Sequence, residues 1–219
     1  MKMRVFCAEL VKMNAIWAVK PDVTLRGVPV YKGLLKAAAQ KSLVMALRNV
    51  VQAAPLYTPV VASGKAMSVR MTSAGQFGWF SDRSGYHYLA EHPSGTPWPG
   101  IPTQLLKLWH QLTGLTREPD CCLINFYSEG AKMGLHQDRD EADFSWPVLS
   151  LSLGDDGLFR VGNTSRGGKT ESLWLSSGDT VLLQGDKRLV WHGVDRIRYQ
   201  SSGLLPSGGR INVTLRVVA

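Results

Sequence analysis

From residue 121 to its end the chain is a run of short apolar segments cut by turn residues, and this pattern constrains the fold more than any other feature. Cys121–Tyr127, Pro147–Leu153, Leu158–Val161, Ser172–Leu175, Thr180–Gln184, Leu189–Val194 and Arg210–Val218 read as strands. Ser128-Glu129-Gly130, Gly154-Asp155-Asp156-Gly157, Gly167-Gly168, Ser177-Gly178-Asp179 and Ser207-Gly208-Gly209 are the turns between them. Short strands at this spacing predict a sandwich or barrel.

One stretch beside these strands carries chemistry. In Leu135-His136-Gln137-Asp138 an imidazole and a carboxylate stand two residues apart, so an extended backbone puts both on one face. A second imidazole, His192, follows 54 residues after Asp138 in Val190-Trp191-His192-Gly193. Two His and one carboxylate on one face form a facial triad for non-haem Fe(II), with three positions left open. By itself an H-x-D pair arises often by chance, so the rest of the chain has to support it. A double-stranded β-helix, the jelly-roll, fits the strands and the placement of these residues.

The last strand alternates. Ile211, Val213, Leu215 and Val217 point one way, and Arg210, Asn212, Thr214 and Arg216 the other. A polar face on a terminal strand is ordinarily wet. Yet two arginines six residues apart, about 20 Å along the backbone, can lean together and fork onto the two carboxylates of a small dianion. Asn125 and Tyr127, on one face of their own strand, add neutral donors. An iron triad beside a dicarboxylate clamp implies 2-oxoglutarate.

Upstream, Leu34, Leu35, Ala38, Val44, Met45, Leu47 and Val51 recur at helical spacing within residues 32–53, and Pro55 stops the pattern. Residues 66–72 alternate like a strand. Then Phe77, Trp79, Phe80, Tyr86, His87 and Tyr88 interleave with Lys65, Arg70 and Arg83 on a Gly-rich frame. Such a stretch can stack bases and hold phosphates, or fill a small core. After a Pro-rich connection, Leu105, Leu106, Trp109 and Leu112 mark a helix from Thr103 to Leu112, with Gly114 at its cap and His110 on its surface. The expected organisation is one compact domain, mainly β with flanking helices. It comprises an N-terminal extension with at most one short strand (1–30), supporting helices and a recognition lid (31–120), and the β core (121–219).

Charge separates these parts. Residues 1–90 hold 12 Lys/Arg against 3 Asp/Glu, and residues 91–219 hold 13 against 14, so the net +8 originates at the N-terminal side. A polyanion would be met there. Cys7, Cys121 and Cys122 are too few and badly spaced for a disulfide framework or a zinc finger. No apolar run reaches the length of a membrane span. The defaults are therefore a cytoplasmic monomer with no membrane partner.

Seven motifs then occur in order: Asn125-Phe126-Tyr127, Gly130-Ala131-Lys132, Leu135-His136-Gln137-Asp138-Arg139-Asp140-Glu141, Ser150-Leu151-Ser152-Leu153-Gly154, Ser177-Gly178-Asp179, Trp191-His192-Gly193, and Arg210-Ile211-Asn212-Val213-Thr214-Leu215-Arg216. Together they resemble the AlkB family of Fe(II)/2-oxoglutarate dioxygenases, in particular its bacterial alkylated-DNA repair members. Met67-Ser68-Val69, Gly78-Trp79 and Gly85-Tyr86 extend the likeness upstream. The resemblance implies a jelly-roll with an N-terminal nucleotide-recognition lid, and Fe(II), 2-oxoglutarate and O2 as cofactor and cosubstrates. It implies oxidative demethylation of N1-methyladenine and N3-methylcytosine in single- or double-stranded DNA, or in RNA, with release of formaldehyde, succinate and CO2. By position His136, Asp138 and His192 would bind iron, and Asn125, Tyr127, Arg210, Asn212 and Arg216 would bind 2-oxoglutarate. Trp79 would stack on a flipped base opposite His136, Tyr86, His87 and Tyr88 would line the lid, Asp140 would face the base edge, and Arg166 would reach the nucleic acid. These lesions are cations, which suits a carboxylate at Asp140 and an indole face at Trp79. Their blocked pairing also lowers the cost of extruding them from a duplex.

The chain departs from the family at Phe126, where bacterial members often carry a basic residue, and at Val161-Gly162-Asn163, where an aromatic tends to precede the glycine. Two other readings stand beside this one. A same-fold oxygenase acting on protein or lipid is disfavoured by the basic N-terminal part. A non-catalytic nucleic-acid module, with a zinc or vestigial H-x-D…H site, is disfavoured by the intact Arg210/Arg216 pair.

Overall fold

The segments after residue 121 pair into two sheets that face each other. In a computed structural model describing residues 19–219, the strands are β1 (Val23–Leu25), β2 (Val28–Tyr31), β3 (Val69–Gly75), β4 (Gly78–Asp82), β5 (Gly85–Leu89), β6 (Cys121–Tyr127), β7 (Met133–His136), β8 (Val148–Gly154), β9 (Asp156–Val161), β10 (Glu171–Leu175), β11 (Thr180–Leu183), β12 (His192–Arg198) and β13 (Arg210–Arg216). Among the described residues two α-helices, α1 (Ala37–Ala53) and α2 (Thr103–Thr113), complete the frame. Cys7 and most of the expected N-terminal extension lie outside the described residues. The larger sheet runs β1-β2-β11-β8-β13-β6-β3, the smaller β10-β9-β12-β7, and β4–β5 form a separate hairpin. This is the expected jelly-roll. No described helix is long and apolar enough to cross a membrane.

Alternation along β13 explains the layering. Val213 and Leu215 join Ile124, Leu149, Leu151 and Leu153 on one face of the large sheet, under α1 and α2. α1 has no side-chain cap and no acidic residue in its first turn. Its hold is burial of Leu43, Val44, Leu47 and Val50 against the sheet, about 1.5–3 kcal/mol for each large side chain. In α2 the buried residues are Leu105, Leu108 and Trp109, while Leu106 and Leu112 are only half-covered. Between the two sheets, Val148, Val181 and Leu183 meet Phe159, Val161 and Leu175, closing one end of the sandwich.

The polar face of β13 is not a solvent face. β13 is terminal in sequence but central in the sheet, bonded to β6 on one side and β8 on the other. Arg210, Asn212, Thr214 and Arg216 are consequently buried between the sheets, where the other end of the sandwich stays open as a cavity. Four local differences from the sequence reading have plain causes. Residues 23–31 make two strands, because Arg26-Gly27 turn the chain back and β2 adds to β11. The aromatic stretch 78–89 folds as the β4–β5 hairpin. β7 is too short to announce itself by pattern. β12 begins at His192 and runs on through a register shift between Val194 and Ile197, so its apolar run and its hydrogen-bonded run do not coincide.

Candidate active site

The β7–β12 pairing builds the centre of the cavity. His136 and His192 are cross-strand partners, their ring centroids 4.6 Å apart. Asp138 follows just past the end of β7. Its Oδ1 lies 3.6 Å from His136 Nε2 and its Oδ2 3.6 Å from His192 Nε2. One ligand atom from each residue falls within 4.8 Å of the others. Each imidazole is aimed by its own backbone: His136 Nδ1 donates to Gly134 O at 2.9 Å and His192 Nδ1 to Val190 O at 3.0 Å. That fixes the tautomer and leaves both Nε2 lone pairs facing Asp138. Burial pushes the His192 imidazole down to about 4, more than the nearby Asp138 carboxylate raises it. A neutral imidazole is the metal-binding form. Burial would raise the Asp138 carboxyl, but Arg216, with His192, His136 and Arg188, overrides it and holds the group well below the usual carboxylate range. Two imidazole nitrogens and one carboxylate, pre-aimed at a common point, fit a divalent metal of the Fe(II) type.

Behind Asp138 lies a buried network of charges. Arg216 donates through Nη2 to Asp138 Oδ1 at 2.8 Å, and through Nη1 to Glu141 Oε1 at 3.2 Å and to the Tyr88 hydroxyl at 3.0 Å. Arg188 pairs with Glu141 Oε2 at 3.1 Å and donates to the Asp138 and Trp146 carbonyls. Two cations and two carboxylates thus neutralise one another out of water, as buried ions must. Glu141 and Arg188 carry no pattern that sequence reading could isolate. Each ends a short run of mixed charge, Asp138-Arg139-Asp140-Glu141 and Asp186-Lys187-Arg188, and only the fold brings the two together.

The two clamp arginines have different partners. Arg216 sits on the metal ligand. Arg210, 1% exposed, has no carboxylate partner among the described residues. Its Nη2 donates to Ser152 Oγ at 2.9 Å and its guanidinium lies over the Tyr127 ring, 5.2 Å from the centroid. Burial pulls its pKa below the ordinary arginine value. Its Nε and Nη1, the Nε of Arg216 and the Oδ1 of Asn125 are sealed from solvent with no hydrogen-bond partner among the described residues. Buried donors are almost always satisfied, so orphaned guanidinium N–H groups at both ends of one cavity fit a dicarboxylate between them. Gly157 leaves room for this: a Cβ there would stand 2.6 Å from Arg210 Nε. Asn212 lines the same wall with its amide already bonded to Ser150 Oγ and Leu151 O.

The β4–β5 hairpin closes the open side of the cavity, which holds about 650 Å³. Trp79 stacks on Tyr86 with centroids 5.3 Å apart, and its Nε1 donates to Asp140 Oδ2 at 3.2 Å. Both aromatics, Asp140 and the triad line the one cavity. Tyr88 reaches the network behind Asp138 instead. His87 does not join the site: side chains alternate along β5, so His87 falls on the opposite face, where it meets Ser84 Oγ at 2.9 Å. Arg166 is exposed in the 162–168 loop, its guanidinium 5.9 Å from the ring centroid of Trp191, which lines the cavity. Sequence reading did not single out Trp191, the apolar wall of Met67 and Met133, or Gln137, which donates to Thr164 O and Leu189 O.

Comparison with known proteins agrees with this geometry. Residues 27–216 match the family described as the 2OG-Fe(II) oxygenase superfamily. The alpha-ketoglutarate-dependent dioxygenase AlkB homolog of Caulobacter vibrioides is 52% identical over 198 residues, 90% of each chain. The alpha-ketoglutarate-dependent dioxygenase AlkB of Escherichia coli is 36% identical over 165 residues, 73% of this chain and 76% of that one. The solved structure of OsALKBH1 superposes with a TM-score of 0.73 at 29% identity, covering 90% of this chain and 99% of the other. With that coverage, and with the triad and the orphaned arginine donors facing one cavity, the chain belongs to the AlkB family of 2OG-Fe(II) oxygenases.

Proposed function

We propose that this dioxygenase demethylates N1-methyladenine and N3-methylcytosine in DNA, and the same bases in RNA, as a monomer in the cytoplasm. Its cofactor and cosubstrates are those of the family: Fe(II), 2-oxoglutarate and O2. Together they supply oxidation of the N-methyl carbon, with formaldehyde, succinate and CO2 as the products that leave. His136, Asp138 and His192 would hold the metal. Arg210 would take one carboxylate of 2-oxoglutarate, with Asn125, Tyr127 and Asn212 around it, and the free Nε of Arg216 would face the other. The protein's own contribution is position and electrostatics.

The observation that carries the substrate reading is the wall opposite the triad. The Trp79 indole and the Asp140 carboxylate are bonded to each other at the cavity mouth, an aromatic face and an anion presented as one unit. Such a unit favours a flat cation over a neutral base. A base would lie between Trp79 and His136, with Tyr86 behind the indole. Relatives that match about half of this chain support a nucleic-acid substrate by their names, a DNA N(6)-methyladenine demethylase of Arabidopsis thaliana and a tRNA demethylase of Schizosaccharomyces pombe. The test is formaldehyde release from a single-stranded oligonucleotide bearing one N1-methyladenine, with Fe(II), 2-oxoglutarate and ascorbate supplied. Release by wild type and none by Asp138→Ala is the expected result. Iron-dependent succinate without formaldehyde would keep the oxygenase and discard this substrate.

A further inference from the structure

The β1–β2 turn holds a residue that its backbone does not favour. Arg26 and Gly27 have φ of 51° and 83°, the two left-handed positions of a tight hairpin turn. Glycine adopts this conformation freely, whereas an arginine does so against its sterics. The Arg26 side chain has a use for the position. Its Nε donates to Gly162 O at 3.3 Å, its Nη2 to Asn163 Oδ1 at 2.5 Å, and its Nη1 meets Glu171 Oε1 at 3.3 Å. Asn163 passes the restraint on. Its Nδ2 donates to Gly167 O at 3.2 Å, directly after Arg166, and lies so close under Gly168 that a Cβ there would stand 2.4 Å away.

The same loop is tied from the other side. Gln137, between two metal ligands, donates to Thr164 O at 2.9 Å. Trp191, one residue before His192, exchanges backbone hydrogen bonds with Gly162 and Asn163 at 2.7 and 2.9 Å. Residues 162–168 are therefore held between the metal site and a hairpin 136 residues earlier in the chain, counted from Arg26 to Gly162. Arg26 stands just before the family match begins, and Asn163 lies in the stretch where the chain departs from the family pattern.

We propose that Arg26 is a positioning residue for nucleic-acid binding. Through Asn163 it fixes the 162–168 loop so that Arg166 stands at the rim of the cavity to receive a backbone phosphate. This rests on the nucleic-acid reading of the site. Arg26→Gly is the informative variant, because glycine suits the turn and keeps the hairpin while removing the guanidinium. Its affinity for a fluorescent single-stranded oligonucleotide bearing N1-methyladenine is measured by anisotropy, its KM and kcat by formaldehyde release, and its amide exchange by mass spectrometry. The expected result is about a fivefold weaker Kd and higher KM, the order of one lost hydrogen bond, with kcat held within twofold. Exchange accelerates in residues 162–168 and not in β1, β2 or β11. Asn163→Ala behaves alike, and Arg26→Gly adds nothing to Arg166→Ala. If wild type binds and Arg26→Gly binds equally well, or its loop exchange is unchanged, this inference falls alone. If exchange accelerates across β1, β2 and β11 and kcat drops, Arg26 is a staple of the sheet and the inference falls. If wild type itself does not bind the oligonucleotide, the nucleic-acid reading falls and takes this one with it.

Discussion

The iron pocket and the β4–β5 hairpin face one cavity, yet they are built to different standards of rigidity. In the pocket both histidines are placed by the strand pair and aimed by a backbone carbonyl, and Asp138, just past β7, is buried and held by Arg216. The hairpin is a two-stranded sheet with Tyr86 53% exposed. Side-chain ties anchor it, from Tyr57 Oη to the Trp79 carbonyl, from Ser81 to Val60, from Trp79 to Asp140 and from Tyr88 to the charge network. A two-stranded element whose outer strand, here β5, has no buried residue opens at lower cost than a central strand. The contrast teaches a division of labour. Chemistry needs ligands held within a fraction of an ångström, whereas a wall that admits a base must move aside.

The largest effects should come from the rigid half. Asp138→Ala removes a metal ligand and leaves Arg216 buried without its nearest carboxylate oxygen. We expect no measurable iron-dependent turnover, and near-normal succinate formation would remove Asp138 from the triad. Arg210→Met keeps the side-chain volume but deletes the orphaned donors. KM for 2-oxoglutarate should rise about a hundredfold, the order of breaking one buried charge pair, while oligonucleotide affinity measured without cosubstrate stays near that of wild type. A KM within threefold of wild type would show that Arg210 is held for the Tyr127 and Ser152 contacts alone.

The sequence exposed the rigid half better than the adaptable one, and the reason is physical. His136, His192 and the arginines of β13 sit on strands, and Asp138 stands two residues after His136 just past the end of β7, so a period of two carries side-chain direction. Their roles could be argued from spacing before any fold was known. What the spacing could not carry was the place of β13 at the middle of the sheet, which turns its polar face from wet to buried. Nor could it carry Glu141 and Arg188, whose partners lie in other elements. In the hairpin the failure was register. Without the Trp79–Tyr88 pairing, Tyr86, His87 and Tyr88 read as one lining, although His87 faces away. The N-terminal hairpin was missed for a similar reason: Arg26-Gly27 is a turn signal only to a reader who accepts an arginine at positive φ.

On the adaptable side, Trp79→Ala should raise KM for the methylated oligonucleotide about tenfold, the order of one lost base-stacking contact. Decay of 2-oxoglutarate in the absence of nucleic acid, followed as succinate, should persist. Loss of that decay as well would mean that the packing of Trp79 against Met71 and Leu123 supports the pocket itself, and the hairpin would then belong to the rigid half.

The smallest effect tests the seam between the two. Tyr88 is on the hairpin, but its hydroxyl accepts from Arg216 Nη1 and donates to Glu141 Oε1 at 3.2 Å. Burial pushes its phenol above the ordinary tyrosine range, so it stays neutral and able to donate. Tyr88→Phe conserves the ring, and Arg216 and Glu141 still pair with each other at 3.2 Å. The stability loss should therefore be near 1 kcal/mol, one hydrogen-bonded hydroxyl, read as a small fall in Tm. The informative number is the ratio of succinate to formaldehyde. If Tyr88 transmits the position of the hairpin to Arg216 and so to Asp138, cosubstrate turnover and base oxidation lose step, and the ratio should rise about two- to fivefold, as a coupling of that size implies. A wild-type ratio with the same small Tm loss would mean that hairpin and pocket touch without communicating, and the two halves would differ in mechanism as well as in rigidity.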